Sequence, residues 1–184
     1  MVDEIRARLK QAVEDLRNVR LNRSNTFAED LDGYVLDVGD EWVLLQRLEH
    51  NRPIGFLALR IGDVHRVVTS RQHELQRRGL EAAGLWPPAG PDTSVDLSST
   101  RGVIESAHAA ATLVNLQFEE ESSDTCYIGV PIGWSESTVT LAEISPTGEW
   151  AGTVSQWPLD EITRVEFDGW YERDLLLFGG TPPH

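Results

Sequence analysis

At 184 residues, with 40% hydrophobic and 25% charged side chains, the sequence has ordinary globular composition and length for one large or two small cores. No apolar run approaches the roughly 20 residues of a bilayer-spanning helix, and the opening residues lack the basic and apolar regions of a secretory signal. The formal charge of −14 is uneven: residues 1–90 carry 13 basic and 14 acidic side chains, residues 91–184 carry 3 and 16. The second half therefore repels phosphate backbones, which favours solubility or a basic protein partner over nucleic acid. Cys126 is the only cysteine, which rules out an intrachain disulfide and makes a cytoplasmic setting the expectation.

In chain order, Val2, Ile5, Leu9, Val13 and Leu16 recur at helical spacing and predict one amphipathic helix. The period then shortens. Val19 to Phe27, Gly33 to Val38, Trp42 to Leu48, Ile54 to Ile61 and Val64 to Val68 read as five strands. Asp32-Gly33, Gly39-Asp40 and Asn51-Arg52-Pro53 supply turn chemistry between them. Thr69 and Gln72 form a candidate capping box for a second helix that stops at Gly84. Residues 85–97, rich in Pro and Gly, read as a linker between a first unit (1–84) and a second, acidic unit (98–184).

The same programme then restarts. Ser98, Ser99 or Thr100 can cap a helix bearing Val103, Ala107 and Ala110. Strands are expected around Val114–Phe118, Ile128–Trp134, Thr138–Ile144, Gly152–Trp157 and Ile162–Phe167. Pro131 points to an edge position for the second of these. Glu119 to Asp124 reads as an acidic loop, and Trp170 to Phe178 as a last helix ended by Gly179-Gly180. Asp63-Val64-His65-Arg66-Val67 returns as Glu161-Ile162-Thr163-Arg164-Val165, 98 residues on, and Leu44 and Gly55 return as Leu141 and Gly152, 97 on. An internal repeat follows.

A helix with five strands per repeat resembles the Sm-like fold, a small bent barrel of the SH3-like kind. Gly33-Tyr34-Val35-Leu36-Asp37-Val38-Gly39-Asp40 is similar to the first Sm motif, and Leu59-Arg60-Ile61-Gly62-Asp63-Val64 to the second. The chain also resembles bacterial proteins built from two such repeats. The resemblance implies a mainly β, α+β fold of two tandem Sm-like barrels. It does not carry over RNA-base recognition, because Leu44 and Leu141 occupy the position of the family's base-contacting asparagine and Ser137 that of its aspartate.

No catalytic motif is present. The histidines His50, His65, His73, His108 and His184 have no partner at metal-ligand spacing, so no metal and no cofactor are expected. Cys126 reads as a buried small hydrophobe. Arg66 and Arg164, with Asp63 and Glu161, are expected to form ion pairs fixing the last strand of each unit against the helix that follows. Trp134, Trp150 and Trp157 are the candidate contact residues of a binding edge, with Trp150 expected to be the most exposed. The function expected is a non-catalytic protein-interaction or assembly module, with an unidentified protein partner or self-association through barrel edges. The alternative is a divergent RNA-binding protein using Arg17, Arg20 and Arg23.

Overall fold

The computed structural model describes residues 1–49, 52–122 and 125–183. The turn at Asn51 and the end of the acidic run at Asp124 lie outside the described residues. In chain order the elements are α1 (Val2–Glu14), β1 (Asn18–Arg23), β2 (Leu31–Val38), β3 (Trp42–Glu49), β4 (Arg52–Arg60), a 3-10 turn (Ile61–Asp63), β5 (Val64–Thr69) and α2 (His73–Ala83). The second half supplies α3 (Thr100–Ala111), β6 (Val114–Gln117), β7 (Cys126–Trp134), β8 (Thr138–Ile144), β9 (Trp150–Pro158), β10 (Arg164–Phe167) and α4 (Trp170–Gly179). The result is a mixed α+β protein in which the strands form one open antiparallel sheet, ordered β5-β1-β2-β3-β4-β10-β6-β7-β8-β9.

That order runs twice through the same pattern, and the register repeats in detail. Gly33 faces Arg47 and Val35 faces Leu45; Gly129 faces Glu143 and Pro131 faces Leu141, with a bulge two residues after each glycine. Leu141 is thus the counterpart of Leu45, one residue from the Leu44 expected by counting. Pro131 is not at an edge: β7 lies between β6 and β8, and the proline sits at the bulge, where a missing ladder hydrogen bond is tolerated.

The halves join through β4 and β10, with Arg164 opposite Leu59 and Phe167 opposite Phe56. This seam explains why β3 and β4 read as unbroken apolar runs. Val43, Leu45, Leu57 and Leu59 pack with Ile5, Leu9 and Ala12 of α1 in one core. Their neighbours Trp42, Leu44, Phe56 and Ala58 face the other way, into a core completed by Val103, Ile104 and Ala107 of α3 and by Leu116 and Val165. Strands buried on both faces need no polar alternation. Gly55 makes the seam possible: its φ is +115°, and a Cβ there would lie 2.8 Å from the Cα of Gly169.

Helix boundaries follow local chemistry. Ser99 Oγ accepts the Gly102 N–H at 3.1 Å and starts α3. Ser99→Ala is expected to destabilise the protein by about 1 kcal/mol, measured as a lowered urea midpoint with unchanged m. Thr69 does not cap α2; it ends β5, and the helix begins four residues later behind Gln72, without a side-chain cap. Gly84, at φ +70°, ends α2 as expected. The segment 85–97 is largely exposed but anchored at two points: the Leu97 carbonyl accepts from the Glu41 and Trp42 amides, and Gln46 Nε2 donates to the Ala89 carbonyl.

A buried ion cluster also crosses the seam. Glu119, expected in a solvated loop, is 2% exposed and accepts both guanidinium nitrogens of Arg23, with Arg164 3.3 Å away. Arg164 also reaches Glu166 at 3.0 Å. The expected pairing of Arg164 with Glu161 and the last helix is therefore corrected, and Arg66 is exposed at the sheet edge. Equivalent positions diverge because β10 is covered by the first half, whereas the outer side of β5 faces solvent.

Candidate interaction site along the free edge

The sheet ends in two strands with partners on one side only, β5 and β9. β9 runs nine residues, and Ala151, Gly152, Thr153, Val154 and Gln156 are exposed; the Val154 side chain stands out at 56%. Edge strands are commonly blunted by inward charges or lysine; β9 has neither, and its only proline, Pro158, is its last residue. β9 belongs to the half of the chain that carries most of the negative charge.

The three sequence-nominated tryptophans lie around β9 but on two faces. Trp134 and Trp157 flank Val139 across β8 and cover the shared core. Trp157 stacks on Tyr127 at 3.6 Å and donates to Glu143, while the Arg101 guanidinium lies 4.9 Å over Trp134. Trp150 lies on the opposite face, half-buried against Leu175 and Leu176 of α4, and its indole N–H donates to the Gly179 carbonyl at 2.9 Å. It is not the exposed tryptophan. That residue is Trp170, 58% exposed on the first turn of α4 beside Tyr171.

Trp170 and Tyr171 wall a cleft of about 490 Å³ with Arg47, Arg52 and Ile54. Its inner polar groups are mutually satisfied: Arg47 lies 3.2 Å from Glu166, and Asn115 donates to Glu172. Sequence reading missed both aromatics because they fall at the start of a helix, where an apolar residue is taken for core. A usable signal was the excess of apolar positions: Trp170, Tyr171, Leu177 and Phe178 make one stripe, and Leu175 and Leu176 lie outside it, so one helix cannot bury them all.

Of the arginines of the alternative reading only Arg23 is buried; Arg17 and Arg20 are half-exposed and held in surface ion pairs. Arg23 is buried on Glu119, Arg17 pairs with Asp15 at 2.7 Å and Arg20 with Asp32 at 2.5 Å. Asp63 and Glu161 both line a second cleft, at the seam. Cys126 is exposed, not buried; neighbouring atoms desolvate the thiol and Glu166 and Glu172 add negative charge, so its pKa is raised and its nucleophilicity suppressed. Among the described residues no cluster of His, Cys, Asp and Glu has the geometry to hold a metal ion, and no helix is long and apolar enough to cross a membrane.

No family model matches the chain, and neither a curated protein nor a solved structure matches it.

Proposed function

We propose that the chain is a non-catalytic assembly module of two tandem Sm-like barrels, joined edge to edge, and that it binds a protein by strand addition at β9. The first partner we assign to that edge is β5 of a second copy. The observation that carries this reading is the internal seam. Within the chain, β4 already accepts β10, and the repeated register makes β9 the counterpart of β4 and β5 that of β10. Transferring the seam to two chains places Arg66 opposite Trp157 and Thr69 opposite Val154. Main-chain hydrogen bonds would supply affinity and the alternating side chains specificity.

Charge supports the same pairing, because the end bearing β5 belongs to the near-neutral half with exposed Arg66 and Arg71, while β9 belongs to the acidic half. Such a contact is head-to-tail, so it closes into a ring or extends as a fibre.

Sedimentation velocity over a concentration series tests the reading. Species heavier than one chain are expected for the wild type and lost in Val154→Lys, which places a charge on the open edge. In a Cys126→Ser background, the pair Thr69→Cys and Val154→Cys should form an intermolecular disulfide under mild oxidation. A protein that stays monomeric at all concentrations and forms no such cross-link is not an assembly module of this kind.

A further inference from the structure

The helix that follows each repeat, α2 or α4, lies on a different kind of floor. Strand pairing aligns the two floors: Val19 faces Gly33 as Val114 faces Gly129, and Tyr34 faces Gln46 as Val130 faces Ala142. By that register Asn18, Tyr34 and Gln46 stand where the second half has Leu113, Val130 and Ala142. Beneath α4, Leu113 and Val130 join Leu175 and Leu176 in an apolar cluster. Beneath α2 and residues 85–90, the same three positions carry amide and hydroxyl groups, and all three are buried.

α2 answers little of that demand. Only Gln76 and Leu80 of its 11 residues are buried, no side chain caps its first turn, and Leu75 stands 62% exposed. Gln46 finds the Ala89 carbonyl, but no protein group pairs with either amide atom of the Asn18 side chain, with Tyr34 Oη or with Gln76 Oε1. Unpaired buried polar groups oppose the docking of the helix that buries them.

The polar contact that ties the start of α2 to the sheet runs through His73. The Ser70 amide donates to the Asn18 carbonyl at 2.9 Å, and the Asn18 amide donates to Nδ1 of His73 at 3.1 Å. An imidazole thus continues the β1–β5 ladder where a main-chain acceptor would otherwise stand. It can accept only while Nδ1 is unprotonated. The His73 ring lies 6.1 Å from that of Tyr34, which Trp86 meets edge-on at 5.7 Å. Of the titratable groups around it, Glu74 on α2 lies 4.0 Å from Nε2 but is exposed to screening solvent. β1 presents the uncharged Asn18. From β2 comes Tyr34, whose hydroxyl burial pushes up to about 12 and keeps neutral, with Arg77 and Glu81 of α2 acting on it.

We infer that α2, with the strap at Trp86, is a lid over the Asn18–Tyr34–Gln46 row, latched by neutral His73 and released by acid. As the pH falls through the range in which imidazoles titrate, Nδ1 gains a proton, donor faces donor at the Asn18 amide, and the latch is lost. Release lays open a row of hydrogen-bonding side chains across the sheet, where the second half has only apolar carbon. The device is independent of strand pairing at β9.

Hydrogen–deuterium exchange of the full-length protein tests it, with protection taken relative to the unfolded chain so that the intrinsic pH dependence cancels. At about pH 7.5 the α2 amides are expected to be roughly ten-fold less protected than those of α4. At about pH 5.5 their protection should fall a further five- to ten-fold, the scale of one hydrogen bond, with α1 and β3 unchanged. His73→Asn keeps an acceptor near the place of Nδ1 but cannot titrate, and should abolish the acid effect. Asn18→Leu supplies the residue type of the α4 floor and should raise α2 protection roughly five-fold at both pH values. Equal protection of α2 and α4, no acid effect on α2, or one that spreads to α1 and β3 would overturn the lid. So would an acid effect that survives His73→Asn, or an α2 that Asn18→Leu does not tighten.

Discussion

Replacing Glu119 by alanine is expected to cost about 3–5 kcal/mol of stability, the largest single effect in the molecule. The side chain is 3% exposed, that of Arg23 is 1% and that of Arg164 is 8%. Removing the carboxylate leaves the buried Arg23 guanidinium without a counter-charge and Arg164 with Glu166 alone at close range, while the Thr163 hydroxyl keeps only the Gln117 carbonyl as acceptor. Because the cluster joins β1 to the segment after β6 and to β10, the loss falls on the seam. The matching double variant, with Arg23 also replaced by an apolar residue of similar volume, should recover part of it, since removing both partners spares the uncompensated charge. Denaturant unfolding of the three proteins measures the difference.

The same carboxylate sets an acid limit. Burial alone would raise the Glu119 pKa, but hydrogen bonds from Arg23, the charges of Arg164 and Arg23, and the Thr163 hydroxyl outweigh it, and the group ends below its ordinary value of 4.5. A carboxylate whose pKa is depressed by folding binds its proton more readily when unfolded. Its contribution is therefore fully present above that ordinary value and is lost as the pH falls through the folded pKa. Wild-type stability should fall on acidification more steeply than that of Glu119→Gln, which has no proton to take up there.

The second large effect is expected at Gly55. Gly55→Ala should destabilise by about 3 kcal/mol, from two causes acting together. The backbone φ of +115° lies in a region that residues with a Cβ rarely adopt, and the added carbon would meet the Gly169 backbone at 2.8 Å, where no flexible side chain can yield. Gly169→Ala is expected to be milder, since its φ is ordinary and its Cβ would first meet a side-chain end, the Glu172 carboxylate, which would shift against its bond from Asn115. Gly62→Ala, with nothing within 4 Å of the new atom and an unremarkable φ, serves as the neutral control. Thermal unfolding of the three variants should rank them in that order.

Much of the architecture was legible because the sequence alternates where one face is wet and becomes continuously apolar where neither is. Trp42 to Leu45 and Phe56 to Leu59 are of the second kind, and their strands lie between the two cores. Three features escaped that logic for definable reasons. Pro131 suggests an edge because a lost amide is cheapest there, but a bulge accommodates it equally well. Glu119 heads a run of charges and looked solvated; the two buried arginines that neutralise it come from distant positions, Arg23 and Arg164. Trp150, beside a turn and Glu149, looked exposed, yet α4 returns over it from the end of the chain. In each case the deciding partner lies across a contact that periodicity cannot register.

The double-sided burial of β3 and β4 has a consequence for how this gene can change. Deleting the second half would leave Trp42, Leu44, Phe56 and Ala58 without cover, and deleting the first would strip β10 of its neighbour. Whatever produced the repeated pattern, recombination can no longer shuffle the halves as independent cassettes. Substitutions are freest at the two ends of the sheet, so novelty in this lineage should accumulate there while the middle changes only in matched pairs.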